Sequence, residues 1–221
     1  MKPTRLLGRA ATPDGTTITL HDHDGTLSIR AGGIELMSTR QHHSEERLAE
    51  LACAGLGDRS RAMVLIGGLG LGFTLRETLR HVAADATVVV AELVPEVIAW
   101  NREPSYRLAS DVIDDQRVKI LTADVADVLA DSRGRFDAIM LDVDNGPRGL
   151  TAVANDRLYV TRGLGAARAA LRPGGRLAVW SAGEDAQFVA RMEKAGFAVE
   201  VFKARTHPTS GSWNSIFVGT R

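Results

Sequence analysis

The sequence predicts an α/β protein: a doubly wound sheet of seven strands preceded by a small antiparallel β module. Three observations carry that prediction. From Met63 onward, short apolar runs alternate with segments of helical period, the order that builds a parallel sheet with helices on both faces. A glycine-rich turn, Gly67-Gly68-Leu69-Gly70-Leu71-Gly72, joins the first of these strands to the first of these helices. Acidic residues, Glu92, Asp124, Asp142 and Asp144, recur where successive strands end. Ligands of such sheets sit beyond the carboxyl ends of the strands, where strand order reverses. Scattered acids have no reason to choose that one edge.

Residues 1–40 are expected to form the small module. Thr16–Leu20 and Thr26–Arg30 flank an Asp24-Gly25 turn pair, and Ile34–Met37 follows a Gly32-Gly33 turn, so short strands joined by hairpins are predicted. His21-Asp22-His23-Asp24 at the first turn reads as a solvated hairpin tip rather than a metal site, because adjacent turn residues diverge and close no coordination shell.

The main domain is expected over residues 41–221. Ser44 is the candidate N-cap of a helix running to about Gly55, with Leu48, Leu51 and Ala52 on its buried face. Gln41-His42-His43 precedes it and faces either the ligand or solvent. Met63–Ile66 is the first buried strand, and Phe73, Leu75, Leu79 and Val82 mark the helix after the glycine turn. Thr87–Ala91 is the second strand, followed by a helix with Pro95 in its first turn. Val118–Leu121, Phe136–Leu141 and Arg176–Trp180 are the next strands, the last entered through an Arg172-Pro173-Gly174-Gly175 turn. A helix from about Glu184 and strands Ala198–Phe202 and Ser215–Gly219 complete the chain. Arg205–Trp213, rich in Thr, Ser, Pro and Gly, reads as a loop.

The glycine turn suggests a ligand. Gly68, Gly70 and Gly72 let backbone approach a bound group where a side chain would collide, and the helix that follows offers free N–H groups. Glu92, twenty residues after Gly72, is placed to accept hydrogen bonds from a ribose diol. Together these predict a nucleoside site.

Composition bounds the function. Lys plus Arg equals Asp plus Glu at 27 each, which argues against non-specific binding to nucleic acid or an anionic membrane. One cysteine, Cys53, excludes a disulfide within the chain and reads as core packing rather than a nucleophile. No run is long enough to cross a bilayer, and residues 1–5 lack the apolar core of a signal peptide. A cytoplasmic protein is expected, acting on a small molecule.

These residues resemble the class I S-adenosylmethionine-dependent methyltransferases, with their Rossmann-like seven-stranded sheet, over roughly residues 62–221. The resemblance implies that Gly68, Gly70 and Gly72 pass under the methionine part and that Glu92, with Leu93 beside it, holds the ribose. It implies that Asp124 accepts from the adenine amino group with Val125 against the ring, and that Asp142 stands where the reacting groups meet. Within that superfamily the chain is most similar to the spermidine synthases, the polyamine aminopropyltransferases. The β module, His43-Ser44-Glu45 where that family has Tyr-His/Gln-Glu, Leu75-Arg76-Glu77, Leu158-Tyr159 and Ala170–Gly175 carry this closer likeness.

The chain departs from that family at three points. The family's acid in the glycine turn, which grips the aminopropyl amine, aligns with Leu71. The second acid of its Asp-x-x-Asp is Asn145, with Asp144 one residue early. Its Tyr before the helix is His43. A buried ammonium without a carboxylate is costly, so the expected activity is methyl transfer from S-adenosylmethionine to a small molecule, an amine among the candidates. Asp142, Asp144 and the weaker His43 are the candidate catalytic groups. Aminopropyl transfer from decarboxylated S-adenosylmethionine and a non-catalytic nucleoside-binding protein are the alternatives. Tyr159 and Trp180 are candidates for the acceptor pocket or the core, Glu184 for an amine contact, and the resemblance raises the prospect of a homodimer. No resident metal is expected.

Overall fold

A computed structural model describes residues 3–143 and 156–221. The centre of the sheet is β5 (Met63–Gly67), whose Val64, Leu65 and Ile66 are buried on both faces, as a run without polar alternation requires. It pairs in parallel with β6 (Thr87–Glu92) on one side and β8 (Phe136–Leu141) on the other. Beyond β6 lies β7 (Val118–Thr122). Beyond β8 lie β9 (Leu171–Ser181), β11 (Ser210–Thr220) and β10 (Ala198–His207), so the order is β10-β11-β9-β8-β5-β6-β7. All neighbours are parallel except β11, which runs against both β9 and β10.

Successive side chains of a strand point to opposite faces, and the core divides accordingly. Val64, Ile66, Val88, Val90 and Met140 pack on one face with α1 (His43–Ala52) and α2 (Phe73–His81). Leu65, Val89, Ile139 and Leu141 pack on the other with α4 (Val125–Ala130), α6 (Thr161–Ala170) and α7 (Ala186–Lys194). Helix α3 (Pro95–Arg102) follows β6, and the short α5 (Asp156–Tyr159) precedes α6.

The N-terminal module is a four-stranded antiparallel sheet in sequence order: β1 (Arg5–Ala11), β2 (Thr17–His23), β3 (Thr26–Ala31) and β4 (Ile34–Ser38). Strand β1 lacked a clear period in the sequence. Asp24 and Gly25 both take positive φ, 54° and 81°, the geometry of a two-residue hairpin whose twist matches its strands. The His-Asp cluster is spent on this turn, where Asp22 Oδ1 accepts from the Gly25 N–H at 2.8 Å. Ile18, Leu20 and Ile29 belong to the same buried cluster as β5 and α1, so one core runs under both sheets. Gly8 secures the join: a Cβ there would lie 2.4 Å from Trp100 Nε1 on α3.

Three local expectations are corrected. Ser44 is not the cap of α1. The helix starts at His43 with His42 at the cap position, and the Ser44 hydroxyl bonds the Glu45 side chain instead. The Arg172–Gly175 segment is not a separate turn. It is a bulged part of β9, where the register against β8 jumps from Phe136–Leu171 to Ala138–Arg176. Most of Arg205–Trp213 is not a loop, because the β10–β11 hairpin continues through Arg205–Trp213 to His207–Ser210. Its Thr and Ser residues serve as well in a strand as in a coil.

Asp137, on β8 at the amino edge of the sheet, is fully enclosed. It pairs with Arg59 at 2.7 Å and Arg172 at 2.7 Å and accepts from the Met63 N–H at 2.7 Å. Arg59 and Arg172 are part-exposed and reach water, so removing the carboxylate chiefly leaves the Met63 N–H unpaired. Asp137→Ala is therefore expected to cost about 1–3 kcal/mol of unfolding free energy, read by urea titration. A loss under about 1 kcal/mol would mean that the Met63 N–H finds water as readily as it finds the carboxylate.

Candidate functional site

Strand order reverses between β6 and β8, on either side of β5, and a cavity of about 280 Å³ opens at the carboxyl ends of these strands. Gly68, Gly70, Glu92, Leu93, Asp124, Val125 and Asp142 all line it. Gly72 does not. It takes a left-handed φ of 84° at the cap of α2, where a Cβ would lie 2.5 Å from Ala109. Its requirement is packing rather than a ligand. Gly68 and Gly70 are also tightly held, since a Cβ would meet the Asp142 carbonyl at 2.7 Å or Met37 Sδ at 2.8 Å.

Glu92 ends β6 and is nearly inaccessible. Its Oε2 accepts from the Leu69 N–H at 2.8 Å and its Oε1 from the Val94 N–H at 2.9 Å, so it braces the glycine turn against the next loop. Burial raises its pKa above the ordinary value, while the backbone donors pull it back. Asp124 caps α4 by accepting from the Ala126 N–H at 2.8 Å, and Arg157 of α5 bonds its other oxygen.

Asp142 stands just past β8, and its Oδ2 accepts from the Thr74 hydroxyl of α2 at 2.9 Å. Glu45, in the first turn of α1, lines the same cavity, and its Oε2 accepts from the Ser44 hydroxyl at 2.5 Å. Ser44 in turn accepts from Asn214 Nδ2 on β11 at 3.2 Å. Burial, then the negative charge of Asp142, push the Glu45 carboxyl up to about 8. Burial raises Asp142 to about 6. The N-terminal module closes the far side with Thr12, Pro13, Asp14 and Thr16 from the β1–β2 turn and with Leu36 and Met37 from β4.

Of the other candidate residues, only Trp180 among the described ones reaches the cavity. His43 does not line the cavity; its Nδ1 is 3.5 Å from Glu46. His42 stacks on Phe73, ring centroids 3.9 Å apart. Tyr159 donates its hydroxyl to the Val143 carbonyl at 3.2 Å and packs edge-on against Phe188, which puts it behind the site. Trp180 lines the cavity, whereas Glu184 is exposed and pairs with Lys203 at 2.5 Å. Asp144 and Asn145 lie outside the described residues. Leu71 is buried in the core cluster and does not reach the cavity. The sequence reading missed the contributions of the β1–β2 turn and gave Glu45 no role. The likeness of His43-Ser44-Glu45 to a family motif was the one signal for it.

The fold is the Rossmann-like, class I methyltransferase-like fold. Residues 42–203 match the spermine/spermidine synthase domain, and the chain belongs to that family. It is 29% identical over 193 residues to polyamine aminopropyltransferase 1 of Streptomyces coelicolor, covering 84% of this chain and 34% of the relative. It is 28% identical over 197 residues to polyamine aminopropyltransferase 1 of Hyperthermus butylicus, covering 88% and 65%. The chain thus spans about a third of the length of the first relative and just under two thirds of the second. The spermidine synthase of Thermotoga maritima superposes with a TM-score of 0.75 at 20% identity, over 98% of this chain and 72% of that one. A spermidine synthase in complex with the transition-state analogue AdoDATO gives the same score at 21% identity, again over 98% and 72%. These two likenesses establish the fold.

The comparisons correct the functional expectation. The family is that of the spermine/spermidine synthases and these relatives are named polyamine aminopropyltransferases, which overturns the expected methyl transfer and leaves S-adenosylmethionine as the donor without support. The missing acid at Leu71 weighed too heavily in that expectation, because the cavity draws its carboxyl groups from other elements.

Proposed function

We propose that the protein transfers an aminopropyl group from decarboxylated S-adenosylmethionine to an amine. One observation carries this reading. The cavity is lined by five carboxyl groups, Asp14, Glu45, Glu92, Asp124 and Asp142, and by no lysine, arginine or histidine among the described residues. Arg157 offsets Asp124, and the remaining carboxyl groups favour a donor ending in an ammonium over one that keeps its methionine carboxylate.

In this reading Glu92 accepts from the ribose hydroxyls, Asp124 and Val125 face the base, and Gly68 and Gly70 leave room for the chain between. Bound there, a sulfonium supplies an activated methylene carbon and a neutral thioether leaving group. Asp142 orients the acceptor amine, whose lone pair forms the new C–N bond as the C–S bond breaks, and takes the proton the amine releases. The products are the lengthened amine and methylthioadenosine.

Calorimetry with the two donors tests this. Decarboxylated S-adenosylmethionine is expected to bind at least about tenfold more tightly than the carboxylated form, a difference of ~1.4 kcal/mol. Equal or reversed preference would overturn the proposal. So would release of no methylthioadenosine across a broad panel of primary amines, which would leave a nucleoside-binding protein.

A further inference from the structure

Of the five carboxyl groups in the cavity, three are already committed. Glu92 is held by two backbone N–H groups, Asp124 by a backbone N–H and Arg157, and Asp14 by the Thr16 N–H at 3.1 Å and the Thr12 hydroxyl. Glu45 and Asp142 differ. Each receives one hydroxyl on one oxygen, from Ser44 and Thr74 respectively, and each is turned into the cavity from a different element. Two carboxylates facing one cavity repel, and the negative charge of Asp142 adds to desolvation in raising Glu45.

Basic groups on the elements packed against α1 are engaged elsewhere. Arg76 of α2 binds Asp111, and Arg80 and His81 bind Glu77. Arg176 of β9 binds the Leu51 and Ala54 carbonyls. On β10, Lys203 binds Glu184 and Arg205 lies over Trp213. At the start of α1, the cap residue His42 and His43 face Glu46, and within the helix Arg47 faces Glu50. Strand β11 contributes the neutral Asn214.

We infer that Glu45 receives the donor's primary ammonium at one end of the cavity, leaving Asp142 to the acceptor amine, and that Glu45 gives up its proton to solvent when that ammonium enters. Glu45 thereby supplies, from α1, the second negative charge that the glycine turn does not, and the Asn214–Ser44 relay fixes where that charge sits. Trp180, on the wall of the same cavity, gives the methylene chain an apolar surface. This inference rests on the aminopropyl-transfer reading, because it specifies what that donor's amine meets.

The test is titration calorimetry of the intact chain at pH 7 in two buffers of different ionisation enthalpy. The probes are decarboxylated S-adenosylmethionine, which carries the ammonium, and methylthioadenosine, which does not. Net proton release is expected with the first and none with the second. Glu45→Gln is expected to bind the amine-bearing ligand about tenfold or more weakly, to lose the proton release, and to hold methylthioadenosine as the wild type does. Wild-type binding of the donor without proton release, or equal donor affinity in Glu45→Gln, overturns the inference alone. A wild type that binds methylthioadenosine but not the donor overturns the aminopropyl reading and this inference together. Should Glu45→Gln fail to bind methylthioadenosine, the wild-type proton count decides by itself.

Discussion

Asp142→Asn is expected to lower the rate of aminopropyl transfer by about 10²–10⁴-fold, the span of a lost general base, while methylthioadenosine binding changes little. The substitution keeps the shape of the side chain, and the asparagine carbonyl still accepts the Thr74 hydroxyl that now reaches Oδ2 at 2.9 Å. What is lost is the charge that orients the acceptor and the oxygen that takes its proton. The pH profile separates this role from a structural one. Burial raises Asp142 to about 6, and a base works only when unprotonated. Wild-type activity is therefore expected to fall as pH drops through that region, and the residual activity of the variant to lack that limb. A less than fivefold loss with the acid limb intact would show that another group takes the proton.

Much of this site could be read from the chain because its parts are local. Strand, glycine turn and helix are consecutive, and the positions of Glu92 and Asp124 follow from where β6 and β7 end. Asp142 follows in the same way from the end of β8. The cavity's other wall is not local. Thr12 to Thr16 belong to a turn whose preceding strand, β1, carries no clear alternation, and long-range packing, of Gly8 against Trp100 and of Ile18, Leu20 and Ile29 in the shared core, holds that sheet over the cavity. Glu45 sits one residue from a serine that looked like a helix cap, and its importance depends on a neighbour 97 positions away in the chain, Asp142. Leu71 misled for the same reason. A missing charge at one position says little when another element can place a charge in the same space, and sequence spacing does not measure that distance.

Glu92→Gln is the second large effect, and it separates two roles that one carboxylate holds. Both oxygens brace backbone, at Leu69 and Val94, and both keep a lone pair that a ribose diol can use. A glutamine presents an oxygen to one of these N–H groups and an NH₂ to the other, leaving a buried donor unpaired. The expected cost is about 1–3 kcal/mol of stability. Nucleoside affinity is expected to fall by about 10–100-fold, as hydrogen bonds to a charged group become bonds to a neutral one. The pH dependence carries a definite sign. Burial holds Glu92 above its ordinary value of 4.5, so the folded state keeps its proton more strongly than the unfolded chain. The stabilising effect of that proton is complete below 4.5 and is lost as pH rises through the folded value, a trend that Glu45 extends toward about 8. Glutamine does not titrate, so the stability gap between variant and wild type should narrow as pH rises. Thermal unfolding across pH and calorimetry with methylthioadenosine read the two roles separately. Lost stability with unchanged nucleoside affinity would make Glu92 a brace for the glycine turn and nothing more, and would move the ribose contact to another residue of the cavity.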